Sequence, residues 1–135
     1  MRHWLMKSEP DAWSWDQQVA KGVEPWSGVR NYQAANNMKS MRVGDRAFFY
    51  HSNIGKEIVG IIEIVKPYYP DPTDDAGRFG MVDVRAVKPL NKSVTLATIK
   101  LTPALANMAL LKQSRLSVSP VTPEEWQEIL RLSAI

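Results

Sequence analysis

The sequence predicts an α+β domain with a mostly antiparallel, barrel-like sheet and flanking short helices. About five short runs with strand-like patterns are interrupted by short helical segments, without a repeated strand–helix–strand unit. The 135 residues match the size of one domain, and hydrophobic residues recur throughout without a repeat, a low-complexity tract or a long linker. We therefore expect a single domain over residues 1–135.

The first strand and the first helix follow from local signals near the N-terminus. Residues 2–7 are predicted to form a strand. This strand ends at the turn Ser8-Glu9-Pro10-Asp11 because proline lacks a backbone donor and restricts the residue before it. Ser14 and Gln17 are spaced as a capping box, which predicts a short helix over about 14–21.

The next part of the chain is predicted to be a loop, a helix and a hairpin. Residues 26–31 lack regular periodicity, and Asn31 is a suitable N-cap for a helical stretch from about 32 to 41. Runs over 46–51 and 57–66 flank turn residues, which is typical of a hairpin. The second run is nearly all apolar, so we expect both faces of that strand to be covered.

The C-terminal half is predicted to contain further strands and a final helix. An acidic loop over 68–80 precedes a strand over 81–88, a shorter strand over 93–96 and an extended stretch over 115–119. The pattern Thr122-Pro123-Glu124-Glu125 combines an N-cap, a proline at the first position and a capping glutamate. It predicts the start of an amphipathic helix.

Composition limits the chemistry open to this chain. It contains no Cys and two His, which excludes disulfides, thiolate catalysis and Cys-ligated metals. No apolar run approaches the roughly 20 residues of a membrane-spanning helix, and no signal-peptide pattern is found. We therefore expect a cytoplasmic monomer, nucleoid-associated or, in a eukaryote, nuclear, with no cofactor, no metal and no membrane contact.

The charges are spread unevenly, although the net charge is only +3. No acidic residue occurs between Asp83 and Glu124. The basic residues of that stretch are Arg85, Lys88, Lys92, Lys100, Lys112 and Arg115. The stretch predicts a basic face for a polyanion such as nucleic acid, and ordinary solubilising charge is the alternative.

The loop over 26–31 is the strongest candidate for a binding site. A tryptophan in a loop offers a rigid face for a flat ligand, and stacking on it is worth roughly 1–3 kcal/mol per base. Gly28 allows close approach of the backbone, and an arginine at a helix start suits an anion or a carbonyl edge. The alternatives are a tryptophan that pins the loop, a local ion pair and a simple N-cap. The candidate ligand-binding residues here are Trp26, Gly28, Val29, Arg30, Asn31 and Tyr32.

Polar side chains near strand ends form a second group of candidates. His51-Ser52-Asn53 ends a strand of the predicted hairpin with three hydrogen-bonding groups, and Lys7-Ser8 ends the first strand. Arg115-Leu116-Ser117-Val118 alternates like a strand, with Arg115 and Ser117 on one face. Arg115 is a candidate phosphate contact, and a plain surface charge is the alternative.

The sequence does not predict catalysis. His51 is a candidate acid or base, with Asp83 or Glu9 as assisting groups, but no nucleophile is placed beside it and no metal motif occurs. Because His51 is still a candidate acid or base, an enzyme acting on modified nucleic acid is kept as the alternative to a binding module. A protein-interaction domain that uses the acidic loop over 70–75 or the final helix is another.

Several segments of the chain together resemble a known family. They are Lys7-Ser8-Glu9-Pro10, Trp26-Ser27-Gly28-Val29-Arg30-Asn31-Tyr32-Gln33-Ala34, Gly44-Asp45, Tyr50-His51-Ser52-Asn53, Asp83-Val84, Arg115-Leu116-Ser117-Val118 and Pro120-Val121. In this order, over nearly the whole chain, they resemble the EVE domain family. The resemblance implies a PUA-like fold, a β-barrel with helices around it, and a relationship to RNA-binding YTH and PUA domains and to readers of modified DNA bases. It also implies that Trp26 is the first tryptophan of an aromatic cage, with Tyr32 or Trp15 as the second aromatic residue.

The resulting hypothesis is a nucleic-acid-associated module that binds a modified base. The base is either extruded from DNA or RNA or is that of a free nucleoside. Extrusion costs a few kcal/mol, which stacking on Trp26 and contacts to the base edge must offset. The residues predicted to contact the base edge are Ser8, Arg30, Asn31, His51 and Asn53. Arg115 and the acid-free stretch are predicted to bind phosphate.

Overall fold

The computed structural model describes residues 1–134, which form six strands and five α-helices. The strands are β1 (His3–Ser8), β2 (Val23–Pro25), β3 (Arg46–His51), β4 (Glu57–Pro70), β5 (Gly80–Thr95) and β6 (Val118–Val121). The helices are α1 (Trp15–Lys21), α2 (Tyr32–Lys39), α3 (Leu96–Lys100), α4 (Ala109–Lys112) and α5 (Pro123–Ser133), with a 3-10 turn at Pro103–Leu105. This composition confirms the predicted α+β class.

The strands form one sheet in the order β2-β5-β4-β3-β1-β6. Neighbouring strands are antiparallel except β1 and β3, which run parallel with Ser8 opposite His51. Within residues 1–134 the edge strands β2 and β6 do not pair, so the predicted mostly antiparallel sheet is confirmed but the predicted barrel is wrong, because the sheet is open. β2 is only three residues long, and β6 contains Pro120, which has no backbone donor, so neither edge offers a full row of partners.

Local capping signals located three helices correctly. Ser14 and Gln17 form the predicted capping box at α1, and Thr122 and Glu125 form the same motif at α5. Asn31 caps α2, where its Oδ1 accepts a hydrogen bond from Ala34 N at 2.9 Å. Each of these helix starts is therefore determined by an N-cap side chain that bonds to the backbone three residues later.

The strands differ from the prediction in length and number. β5 is one unbroken strand where the sequence predicts two, over 81–88 and 93–96, and the loop before it is reduced to residues 71–79. Four shifts of register between β4 and β5 mark bulges, which let these long strands bend. Arg115 lies in a turn, closed by a 3.0 Å bond from Leu116 N to Gln113 O, rather than in the predicted strand.

The central strands carry buried apolar side chains on both faces. Along β1, Trp4 and Met6 belong to one core cluster and Leu5 to the other, as the alternation of a strand requires. β4 also contributes to both clusters, with Ile62 and Ile64 in the first and Ile58 and Ile61 in the second, which confirms the expectation for its apolar sequence. The first cluster also contains Trp26, so the core itself positions part of the candidate site.

Candidate functional site

A cavity of about 400 Å³ opens at the C-terminal end of β1. Its walls come from the end of β1 and the turn after it, from the residues before α1, and from β2 with the loop that follows. Its polar and aromatic lining residues are Lys7, Ser8, Glu9, Trp13, Glu24, Trp26 and Ser27. We call this space the tryptophan cavity because two tryptophans line it.

Trp26 lines the tryptophan cavity and also belongs to the core. Only 8% of its surface is exposed, and its ring meets Phe49 edge-on with 5.6 Å between centroids. Its backbone N donates to Val82 O at 2.7 Å, which fixes the start of the loop to β5. Trp26 therefore combines the two roles that the sequence left as alternatives, a wall of a cavity and a residue that pins the loop.

Trp13 is the second aromatic residue of the tryptophan cavity. Its Nε1 donates to Gln18 Oε1 at 2.9 Å, and its backbone O accepts a hydrogen bond from the Ser8 hydroxyl. These bonds tie the ring to α1 and to the end of β1. Trp13 is not among the residues predicted from the sequence, although it directly precedes the N-cap Ser14 and lies outside helical periodicity, the same signal that pointed to Trp26.

Neither aromatic residue expected as the cage partner of Trp26 lines this cavity. Trp15 packs in the core, edge-on to Phe49 at 5.4 Å, and covers Gly60 so closely that an added Cβ would lie 2.4 Å from its ring. Tyr32 is 61% exposed and its ring lies 4.8 Å from that of Phe79. Trp13, and neither Trp15 nor Tyr32, is the aromatic residue that lines this cavity together with Trp26.

The loop over 26–31 is fixed by the buried carboxylate of Asp71. Asp71 Oδ2 accepts from Gly28 N at 2.8 Å and from Arg30 Nη1 at 3.2 Å, while Oδ1 accepts from Thr73 N and Oγ1. Burial alone would raise the pKa of Asp71, but the hydrogen bonds from Thr73, Gly28 and Arg30 outweigh it and lower the pKa to about 2. Gly28 and Arg30 thus make local bonds that hold the loop.

The remaining residues of that loop also serve the fold. Val29 is buried in the first core cluster, and Asn31 caps α2. Asn31 in addition lines a shallow hollow together with Lys112 and Arg115. The segment therefore supplies one cavity wall, through Trp26 and Ser27, and an anchored connection to α2.

A second cavity, of about 470 Å³, adjoins the tryptophan cavity and shares Lys7 and Glu9 with it. Its polar and charged lining residues include Lys7, Ser52, Asn53, Lys56, Ser114, Arg115 and Ser117. We call this space the basic groove, because three cations face a single carboxylate among its lining residues. It brings together candidate residues from three distant parts of the sequence.

Lys7 and Glu9 separate the two spaces. Lys7 Nζ donates to Ser114 O at 2.7 Å, and burial lowers the pKa of Lys7. Glu9 Oε1 accepts from Asn53 Nδ2 at 3.4 Å. The charge changes sign at this boundary, because two carboxylates and one ammonium line the tryptophan cavity whereas cations predominate in the groove.

His51 lies outside both spaces. Its Nε2 accepts a hydrogen bond from Trp15 N at 3.0 Å, at the start of α1, and burial lowers its pKa, which favours the neutral ring that this bond requires. Asp83 accepts from the Tyr69 hydroxyl, and Glu9 contacts Asn53, so neither assisting acid reaches His51. The catalytic arrangement considered from the sequence is not assembled.

The expected contacts to a base edge are therefore only partly brought together. Ser8 lines the tryptophan cavity. Asn53 lines the basic groove, whereas Arg30, Asn31 and His51 are held by bonds within the fold. Whether such a side chain faces a cavity depends on its partners in the folded protein, and the sequence does not show these partners.

The acid-free stretch does not form one basic face. Arg115 lines the basic groove and Lys112 lies in the hollow beside it. Arg85 forms an ion pair with Glu63 at 3.3 Å, and Lys88 lies in a separate hollow beside α5. The groove instead gains charge from Lys7 and Lys56, which lie far from that stretch in the sequence.

Residues 1–134 contain neither a cluster of metal-binding side chains nor a membrane-spanning helix. Nowhere in that range do three or more His, Asp or Glu side chains gather as they would around a metal ion. The helices of the same range also lack the length and apolar character needed to span a membrane.

Comparison with known proteins defines the class of this protein. The EVE domain model matches residues 2–132, and the chain belongs to the EVE domain family, which confirms the resemblance seen in its segments. The chain is 36% identical over 169 residues to thymocyte nuclear protein 1 of Homo sapiens, covering 96% of this chain and 73% of that protein.

Solved structures agree with this assignment. An NMR structure of a Rhodopseudomonas palustris protein is 60% identical, with a TM-score of 0.94 over 99% of this chain and 94% of that one. The human THYN1 protein, solved in complex with DNA containing 5-methylcytosine, is 34% identical, with a TM-score of 0.94 over 100% and 99% of the two chains. These neighbours are consistent with the PUA-like fold that the resemblance implies.

Proposed function

We propose that this protein binds nucleic acid carrying a modified base, with the base in the tryptophan cavity and the backbone in the basic groove. The observation that carries this proposal is the change of chemistry at Lys7 and Glu9, from an aromatic, acidic cavity to a cationic groove. A nucleotide has the same division, since a flat uncharged base is joined to an anionic phosphate. The human relative solved with 5-methylcytosine DNA supports this class of ligand.

The tryptophan cavity has the size and lining of a pocket for one base. Its volume of about 400 Å³ falls in the range of small-molecule sites. Trp13 and Trp26 offer aromatic surface, on which a stacked base gains roughly 1–3 kcal/mol. That gain is comparable to the few kcal/mol needed to extrude a base from a duplex, so both tryptophans are needed for selective binding.

The basic groove provides the contacts for phosphate. Lys56 and Arg115 are exposed and form no ion pair within residues 1–134, so their charges are available to a ligand. Beyond Arg115 the hollow with Lys112 and Asn31 continues the same surface towards the start of α2. Phosphates that flank the bound base would follow this path, and their binding would weaken with salt.

We further propose that the site binds and does not catalyse. His51 is committed to Trp15 N, and Asp83 to the Tyr69 hydroxyl, so the groups considered for acid–base chemistry are used by the fold. Both cavities are lined by one chain, so a monomer is sufficient. We expect such a protein to be located with the nucleic acid of the cell, in the nucleoid or, in a eukaryote, in the nucleus.

Fluorescence anisotropy of labelled oligonucleotides tests this function. Oligonucleotides with one 5-methylcytosine or one unmodified cytosine are titrated with the wild-type protein and with Trp13→Ala, at two salt concentrations. We expect Trp13→Ala to weaken binding of the modified oligonucleotide by about tenfold or more, because one stacking surface is lost. Tyr32→Ala is the matched control, because this aromatic ring is exposed outside both cavities.

Two outcomes would contradict the proposal. Wild-type protein that binds neither oligonucleotide would rule out nucleic acid as the ligand under these conditions. Equal affinity of Trp13→Ala and wild type for the modified oligonucleotide would show that the base does not occupy the tryptophan cavity.

A further inference from the structure

We propose that Glu24 selects a base with an exocyclic amino group at C4, and so distinguishes 5-methylcytosine from thymine. This inference rests on the proposed function and names the edge that the same cavity recognises. It depends on a half-buried carboxylate that lines the tryptophan cavity and makes no hydrogen bond within the part of the chain that the structure describes.

The backbone holds Glu24 firmly beside the tryptophan. It is the middle residue of β2, where it pairs with Val84 of β5. Two residues later, Trp26 N donates to Val82 O, so the carboxylate and the indole are carried by one fixed segment. Glu24 is thus placed to contact the edge of a base whose face lies on Trp26.

The carboxylate of Glu24 keeps its capacity to accept hydrogen bonds. Its side chain is 25% exposed. Among residues 1–134 its one ionic partner is Lys21, whose Nζ lies 3.5 Å from Oε1 and whose own side chain is 59% exposed. The lysine of this pair is exposed, and an ion pair that reaches solvent on one side contributes little to stability. A ligand with a donor group can therefore replace Lys21 at this oxygen.

The second carboxylate of the cavity is less suited to this role. Glu9 is exposed, lines the basic groove as well, and accepts from Asn53 Nδ2. It lies beside Lys7 at the boundary between the two spaces, where it separates base from phosphate. Glu24 lines the tryptophan cavity and not the basic groove, which leaves it as the acceptor directed to the base.

The two bases differ in the way that a carboxylate detects. Both carry a methyl group at C5 and a carbonyl at C2, so shape and apolar contact do not separate them. 5-Methylcytosine presents an amino donor at C4, whereas thymine presents an acceptor there. The one ring donor of thymine, N3–H, lies between two carbonyl oxygens that repel a carboxylate. An ionised glutamate only accepts, so Glu24 favours the amino base.

Competition between two oligonucleotides tests this inference. The two are single-stranded and identical except for 5-methylcytosine or thymine at one position, and the ratio of their affinities is measured by anisotropy. We expect the wild type to prefer 5-methylcytosine by about tenfold. Glu24→Gln should bring the ratio close to one, because an amide donates as well as accepts. Loss of one negative charge strengthens binding of both oligonucleotides alike, so the ratio is free of that effect.

Two further variants complete the experiment. Glu124→Gln carries the same chemical change on an exposed residue of α5 and should keep the wild-type ratio. Glu24→Ala should also lose the preference, and its thermal unfolding checks that β2 is intact. A wild-type ratio of one, or an unchanged ratio in Glu24→Gln, would overturn the inference while leaving the proposed function standing. Absence of binding to either oligonucleotide by the wild type would instead contradict the proposed function.

Discussion

The tryptophan cavity and the basic groove adjoin each other but are built in different ways. Trp26 and Ser8 of the cavity are buried, and they hold the core and the end of β1 in place. Lys56 and Arg115 of the groove are exposed side chains of loops between regular elements. Under the proposed function, base recognition is therefore coupled to stability, whereas phosphate binding is separable from it.

Trp26→Ala is expected to have the largest effect, because it damages the core and the cavity together. Truncating a buried tryptophan that packs on Phe49 should reduce the free energy of unfolding by about 3–5 kcal/mol. Urea denaturation measures this loss, and Tyr32→Ala, an exposed aromatic residue, should change it by less than about 0.5 kcal/mol. A Trp26→Ala protein with wild-type stability would break the coupling between cavity and core.

Asp71→Asn is expected to have the next largest effect, through the loop that carries Trp26. The pKa of Asp71 falls from 3.8 to about 2 on folding, which corresponds to about 2 kcal/mol of stability. Because the folded-state pKa is lowered, this stabilisation is present above about pH 4 and is lost as the pH falls towards 2.

Urea denaturation of wild type and Asp71→Asn at several acidic and neutral pH values tests this dependence. The difference between the two proteins should be greatest near neutrality and shrink at the acid end. Asp75→Asn is the control, because Asp75 is exposed and lies with Asp71 in the loop over 71–79. A difference that does not vary with pH would mean that Asp71 acts on the loop by some route other than its charge.

The same comparison shows which parts of the site the sequence could predict. Signals that act within a few residues were reliable. The capping boxes located α1 and α5, and Pro10 located the end of β1 at Ser8. Loop position without periodicity pointed to Trp26, which lines the tryptophan cavity. The groove residues Lys7, Asn53 and Arg115 were recognised singly as polar groups near strand ends.

The parts that the sequence could not predict depend on long-range pairing. Glu24 faces the cavity because β2 pairs with β5, about 60 residues away, and three residues give no pattern that predicts such a pairing. Arg30 and His51 are residue types that often bind ligands. Here Arg30 donates a hydrogen bond to Asp71, and His51 accepts one from Trp15 N, so both are used within the fold. The open sheet likewise depends on which strands lie at its two edges, here β2 and β6, and alternation of side chains does not reveal that order.

His51→Gln is expected to cost about 1 kcal/mol, which is the usual contribution of one hydrogen bond, here from Trp15 N. Burial lowers the pKa of His51 below 6.5, so the unfolded chain takes up a proton more readily than the folded protein. Wild-type stability should therefore fall as the pH decreases through 6.5, and the variant should lack part of that fall.

Unfolding by urea on either side of that pH measures the effect. His3, whose pKa burial also lowers, should supply the remaining dependence in the variant. Oligonucleotide affinity should change little, because His51 lines neither cavity. A large loss of binding in a stably folded His51→Gln protein would place this residue at the ligand after all.

Arg115→Gln is expected to have the smallest effect on stability, within about 0.5 kcal/mol, because the side chain is exposed and unpaired within residues 1–134. It should weaken binding of modified and unmodified oligonucleotides equally and reduce the slope of log affinity against log salt by about one. Arg85→Gln makes the same change at an arginine paired with Glu63 and should leave the slope unchanged. If Arg115→Gln instead lowered the preference for the modified base, the groove would take part in base recognition. Lys7 and Glu9 would then not divide base from backbone, and the two regions would form one site.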